Sequence, residues 1–318
     1  MSELGSLHFQ TVSFTGLAPG ARLIVLGAVH GNETCGTQAI RRVIAEIESG
    51  QLGIVCGSVT FVPVTNPLAY ARHQRMGDRN LNRNLVPTDA PAEFEDRIAN
   101  WLCPLLAQHD ALLDLHSFHT AGEPFVMLGP EDNKGLLEPF ARAPEETSLA
   151  LALGVHRFVD GWLDTYAAGV ARRLAAGASS READVHYGVG TTEYMRAQGG
   201  IALTLECGQH DDPAAPEVAW RAIHNALAHL RLSDAPAPAP VADTEALRLY
   251  QVIDRVHAED AFARGWSSFD RVRAGEVIGT RRDGTPVLAD SDGHIVFPNP
   301  NALPGQEWFY LARRSTRV

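Results

Sequence analysis

The stretch Ala21-Arg22-Leu23-Ile24-Val25-Leu26-Gly27-Ala28-Val29-His30-Gly31-Asn32-Glu33 decides the fold. Residues 21–29 form a nearly continuous apolar run, the pattern of a strand buried on both faces. The run ends at a glycine-flanked histidine, with a glutamate three positions on. Residues 36–49 follow with Ile40, Val43, Ile44 and Ile47 at helical spacing, which predicts an amphipathic helix. The same alternation continues down the chain. Strands are expected at 58–64, 111–115 and 201–205, and helices at 92–108, 146–159, 166–176 and 216–230. Buried strands separated by helices predict an α/β fold with a mostly parallel or mixed sheet and helices on both faces.

The clearest internal boundary is Ser233-Asp234-Ala235-Pro236-Ala237-Pro238-Ala239-Pro240-Val241. Alternating Ala-Pro favours an extended chain and cannot continue a helix. It predicts a larger unit at 1–232, a linker at 233–242 and a smaller unit at 243–318. The smaller unit opens with a strand or short helix at 246–257. It then carries short apolar runs and Asp-Gly pairs at Asp283-Gly284 and Asp292-Gly293, which signal β turns. A small all-β domain is expected there. It has no lysine, which excludes a biotin- or lipoyl-carrier role.

The chain has 318 residues, of which 45% are hydrophobic and 20% charged, the proportions of an ordinary globular protein. Against 38 acidic side chains stand 27 basic ones, a net charge of −11, which argues against nucleic acid or an anionic membrane as partner. Lys134 is the only lysine. No glycine-rich loop ends in Lys-Ser/Thr, so a P-loop is excluded, and a Schiff-base enzyme would have to use Lys134, in a polar stretch. Cys35, Cys56, Cys103 and Cys207 form no C-x-x-C pair, so neither a disulfide framework nor a four-cysteine zinc site is expected. Residues 1–10 lack the basic and apolar regions of a signal peptide. No apolar run approaches about 18 residues, and a cytoplasmic protein is expected.

Four features carry chemistry. The first is His30-x-x-Glu33 beyond a buried strand, where α/β proteins bind ligands. By itself that spacing is weak. The second is Asp114-Leu115-His116-Ser117-Phe118-His119, in which the expected strand delivers His116 as a third ligand and His119 competes for that place. Two histidines and one carboxylate, with a position open to water, are a common catalytic zinc set. Asp114 either orients a ligand or faces the opposite side. The third is Leu205-Glu206-Cys207-Gly208, where a buried strand ends in a carboxylate. Burial of an ionised glutamate is costly without compensation, so Glu206 is either a general base near an activated water or the partner of an arginine. The fourth is the loop His73-Gln74-Arg75-Met76-Gly77-Asp78-Arg79-Asn80-Leu81-Asn82-Arg83-Asn84, with three Arg and three Asn in twelve residues. Arginine forks and neutral amides suit an anion pocket, which Arg196 could join. A solvated loop of surface ion pairs is the plainer alternative.

Taken in order, these features resemble the succinylglutamate desuccinylase/aspartoacylase family of the zinc carboxypeptidase-like superfamily. The resemblance spans almost the whole chain, to Gly305-Gln306-Glu307-Trp308-Phe309-Tyr310-Leu311-Ala312 near its end. It implies a mixed sheet flanked by helices plus a small C-terminal β domain that caps the site. It implies one Zn2+ per chain held by His30, Glu33 and His116, with Glu206 as general base. It assigns Arg75 to the scissile carbonyl and its oxyanion, and Asn82, Arg83 and Arg196 to substrate carboxylate. Two departures are visible. Asn80 stands where the family loop has Asp, and Leu303 and Pro304 fall where animal aspartoacylases carry a C-terminal-domain tyrosine. Both are expected on the substrate side, leaving the metal chemistry intact.

The function implied is zinc-dependent hydrolysis of the amide of a small anionic N-acyl amino acid or a related small amide, in a possible homo-oligomer. The rival readings are a zinc carboxypeptidase for short peptides and a non-catalytic carboxylate-binding protein.

Overall fold

The computed structural model describes residues 7–177, 179 and 183–318. The chain opens with β1 (Val12–Thr15) and β2 (Ala18–Gly27), followed by α1 (Cys35–Glu48), β3 (Cys56–Val62), the short α2 (Pro67–Ala71) and α3 (Phe94–Leu106). Next come β4 (Ala111–Phe118), β5 (Phe125–Met127), α4 (Ala143–Ala152), β6 (Arg157–Asp160), α5 (Trp162–Ala175), α6 (Thr191–Ala197), β7 (Ile201–Gln209) and α7 (Ala215–His229). The remainder is all β: β8 (Glu245–Asp254), β9 (Ala261–Phe262), β10 (Arg271–Val272), β11 (Val277–Thr280), β12 (Pro286–Leu288), β13 (Gly293–Val296) and β14 (Glu307–Arg314).

Eleven strands form one mixed sheet, ordered β1-β3-β2-β4-β7-β5-β6-β8-β14-β13-β10. Its centre, β3-β2-β4-β7, is parallel, while β1 and β5 run antiparallel to their neighbours β3 and β7. The central strands are apolar on both faces because each face is covered. Leu23, Val25, Leu113, Leu115, Leu203 and Leu205 pack in the core cluster that takes in α1 and α7. Ile24, Leu26, Leu112 and Ala202 pack on the other side with α3 and with Leu81 and Leu85 of the loop. The two-residue period of a strand sorts them.

The C-terminal strands do not stand apart from this sheet. β8 pairs in parallel with β6 and antiparallel with β14, so the sheet runs on past the Ala-Pro segment. A separate three-stranded sheet, β12-β11-β9, lies beyond it. The segment expected to be helical over 146–159 divides in two. Helix α4 ends at Ala152, Gly154 takes a left-handed φ of 89°, and 157–160 becomes β6 between β5 and β8. The segment offered as strand or helix at 246–257 is a strand. Among the described residues no helix is long and apolar enough to cross a membrane.

Candidate metal and hydrolase site

The site lies at the carboxyl ends of the central strands. Strand β2 stops at Gly27 because Ala28 takes a left-handed φ of 48°, turning the chain off the sheet. A turn then closes from the Glu33 N–H to the His30 carbonyl (3.1 Å), bringing imidazole and carboxylate to one side. Gly31 is needed here. A Cβ on it would lie 2.0–2.2 Å from backbone atoms of Ala69 and Tyr70 in α2, so only glycine lets the turn sit against that helix.

Strand β4 continues through Phe118, which places Asp114 and His116 on the same face. In the β4–β7 register His116 is paired with Glu206. Three fully or nearly fully buried side chains thus converge: His30, Glu33 and His116 have ligand atoms all within 4.8 Å of one another. His116 Nδ1 lies 2.8 Å from Glu33 Oε2, and His30 Nδ1 lies 2.9 Å from Glu33 Oε1. His119 does not take the third position. It is exposed, with its ring 4.7 Å from that of His210.

The donor set fits a divalent metal. His30 Nε2 is 3.0 Å from Asn80 Oδ1, while the buried Nδ1 has no hydrogen-bond partner among the described residues although a carboxylate oxygen lies beside it. Two electron-rich atoms in that contact call for a cation between them, and burial with the nearby Arg75 lowers the imidazole to about 4, which disfavours a proton in that role. Glu33 is held well below the ordinary carboxylate range because His30 and His116 outweigh its burial. Two imidazoles and one carboxylate suit zinc and neighbouring divalent metals.

Glu206 sits beside this cluster, 7% exposed, with Oε2 unpartnered among the described residues. Burial pushes its carboxyl up to about 8, opposed by His116 and reinforced by Glu33. Arg75 is half-exposed at the mouth and donates from Nη1 to Glu33 Oε1 at 2.9 Å. The loop that carries it hangs on Glu95, a fully buried carboxylate that sequence reading passed over. Glu95 accepts from the Asn66 side chain and from the backbone N–H groups of Gly77, Asp78 and Arg79 at 2.8–3.2 Å. Arg79 is internal bracing, bonded to Asp96 and to the carbonyls of Asn80 and Arg83.

Asn82 lies next to the start of α6, where its Oδ1 accepts from Thr191 N at 2.9 Å. Arg83 extends over Trp162, 4.7 Å from the ring, with Glu307 3.9 Å away. The C-terminal part brings a tyrosine of its own beside Trp162. Tyr310 of β14 lies 5.5 Å from Trp162, buried, its hydroxyl without a hydrogen-bond partner among the described residues.

Two sequence expectations are corrected. Arg196 is not brought to the substrate side as a free guanidinium. It is buried, and all three of its nitrogens are used at 2.8 Å: Nε on Glu146, Nη1 on Glu138 and Nη2 on the Ala202 carbonyl. Asn80 does not lie on the substrate side either. It contacts His30 directly, beside the His30–Glu33–His116 cluster. Asp114 takes the matching place under His116, its Oδ2 3.0 Å from Nε2 but out of line with the ring N–H, while Thr191 Oγ1 donates to that same oxygen. A polar trio adjoins the site as well. Ser117 Oγ is 2.8 Å from His210 Nδ1, and Asn32 Nδ2 is 3.4 Å from His210 Nε2.

Residues 19–157 match the succinylglutamate desuccinylase/aspartoacylase catalytic domain family. No curated protein matches the sequence. Among solved structures, a succinylglutamate desuccinylase/aspartoacylase from Rhodobacter sphaeroides superposes with a TM-score of 0.72 at 18% identity, covering 98% of this chain and 91% of that one. The succinylglutamate desuccinylase from Vibrio cholerae gives 0.71 at 20% identity, covering 96% and 85%. The product-bound ectoine utilization protein EutE from Ruegeria pomeroyi gives 0.70 at 17% identity, covering 95% and 88%. The match to the succinylglutamate desuccinylase/aspartoacylase catalytic domain thus covers residues 19–157, and the whole chain has the fold of those neighbours.

Proposed function

We propose that the protein is a zinc-dependent deacylase that hydrolyses the amide of a small anionic N-acyl amino acid. The observation that carries this reading is the buried His30–Glu33–His116 cluster with the unpartnered Glu206 carboxyl on the adjacent strand. A divalent metal held by those three residues would supply Lewis acidity, polarising the amide carbonyl and making water a better acid.

The chain's own groups do the rest. Glu206 accepts the proton of the attacking water and later delivers it to the leaving nitrogen. Its raised pKa suits a group that must hold a proton between the two steps, and a metal nearby would draw that value down towards the working range. Arg75 reaches the centre from the mouth and would donate to the oxyanion once substrate draws it from Glu33. Arg83 is the candidate for the substrate carboxylate, with the Asn82 amide and the Tyr310 hydroxyl as neutral donors. Residues 243–318 would then act as the unit that closes the substrate end, since Tyr310 and Glu307 both come from β14. A purely binding protein has no use for an unpartnered carboxyl at Glu206, which favours catalysis.

Elemental analysis of the purified protein, of His116→Ala and of Glu206→Gln, with turnover of a panel of N-acyl amino acids, tests this. About one zinc per chain is expected in the parent and in Glu206→Gln, lost in His116→Ala. Turnover in Glu206→Gln should fall by roughly 10²–10⁴. A parent that binds no metal, or a metal-loaded parent that cleaves a tetrapeptide faster than any acyl amino acid, would overturn the proposal.

A further inference from the structure

We infer that Asn80 is a positioning residue that makes His30 the weaker of the two imidazole ligands, leaving the metal more readily exchanged than a carboxylate at position 80 would. This rests on the metal reading proposed above. The first step is the identity of the atom that faces His30. The Asn82 backbone N–H donates to Asn80 Oδ1 at 2.9 Å. An amide N–H cannot serve as acceptor, so the shared atom is the oxygen of the Asn80 side chain and not its nitrogen. That same oxygen lies 3.0 Å from His30 Nε2. His30 Nε2 therefore carries the ring hydrogen, and Nδ1 presents its lone pair beside Glu33.

The second step is the contrast with the other imidazole. The group beside His116 Nε2 is Asp114, a fully buried carboxylate. One imidazole thus adjoins a neutral amide and the other a carboxylate. A carboxylate beside a ligating imidazole raises its basicity and adds negative charge near the cation. An amide fixes the ring's orientation and tautomer without that gain. Asn80 therefore keeps the geometry of the site and gives up part of its affinity.

Asn80→Asp keeps the side chain's shape and changes its charge, so it isolates the effect. The test is zinc affinity by chelator competition, the rate of zinc loss to excess chelator, and the visible absorption bands of the Co2+-loaded protein. Asn80→Asp should bind zinc roughly 10–100-fold tighter, lose it correspondingly more slowly and shift the Co2+ bands. Asp114→Asn, which makes both supports neutral, should loosen zinc by a similar factor, as should Asn80→Ala, which removes the acceptor. Parent protein that binds zinc while Asn80→Asp binds it no tighter overturns this inference and leaves the metal site standing. Parent protein that takes up neither zinc nor Co2+ overturns both. Should Asn80→Asp fail to fold, unchanged zinc affinity in Asp114→Asn and Asn80→Ala overturns the inference by itself.

Discussion

Replacing Arg196 distinguishes a structural guanidinium from a substrate ligand. Its Nε bonds Glu146 Oε2, an oxygen that also accepts the Ala202 N–H at 2.9 Å, while Glu146 Oε1 accepts Gly129 N at 2.7 Å. Helix α4, β7 and the segment after β5 are therefore tied through one carboxylate that Arg196 bonds directly. Arg196→Ala leaves the fully buried Glu146 carboxyl without its guanidinium, and leaves Glu138, already raised to about 7 by burial, without its cation. Removing one member of a buried pair costs about 3–5 kcal/mol. With about 2.1 cal/mol/K of unfolding entropy per residue, a chain of this length loses about 1.5 °C of Tm per kcal/mol, so the expected drop is about 4–8 °C. Arg196→Lys should recover part of it, since one ammonium cannot span three partners in the geometry of a guanidinium. Calorimetry gives the Tm, and KM for the best N-acyl amino acid on the folded protein should move less than about twofold. If Arg196→Ala melts within about 1 °C of the parent while KM rises tenfold or more, the guanidinium serves the substrate and this reasoning is wrong.

Three further outcomes are expected. Arg75→Ala should keep its zinc and lose roughly 10²–10³ in kcat, the usual cost of one oxyanion donor; near-parent turnover would remove Arg75 from the reaction. Gly31→Ala should fold with a displaced His30 and reduced zinc content, because its new Cβ has nowhere to go beside Ala69; full metal occupancy with unchanged affinity would contradict the close approach. Asp260 is buried, yet Arg281 and the backbone N–H groups of Val256, His257 and Arg282 outweigh that burial and lower it to about 2. Its folded pKa lies below its unfolded one, so its contribution of about 2 kcal/mol is present above about pH 4 and is lost as pH falls towards 2. Asp260→Asn should lower stability near pH 7 and flatten the acid limb of a denaturation curve, and an unchanged acid limb would refute the assignment.

What could be read from sequence, and what could not, follows from the range of the interactions involved. The run 21–29 declares a strand because burial on both faces leaves no other use for such a sequence, and His30, His116 and Glu206 stand out because each adjoins or ends a run of that kind. The stretch 153–159 declares nothing by itself. Helix α4 ends near Gly154, and Arg157-Phe158-Val159-Asp160 becomes a strand because β5 and β8 flank it, an outcome decided by residues far along the chain. The places of Arg196 and Asn80 are hidden from local sequence for the same reason. A guanidinium suits a substrate carboxylate and a buried glutamate equally well, and the choice was made by Glu138 and Glu146, more than forty residues upstream. The side of the site that Asn80 serves was fixed by His30, fifty residues earlier. Asp114 is different, because its orientation was available. Positions two apart on a strand share a face, so once His116 is a ligand delivered by β4, Asp114 must look the same way. Its place under the imidazole is then a consequence of strand geometry, and the open choice between orienting a ligand and facing away closes without any knowledge of the rest of the fold.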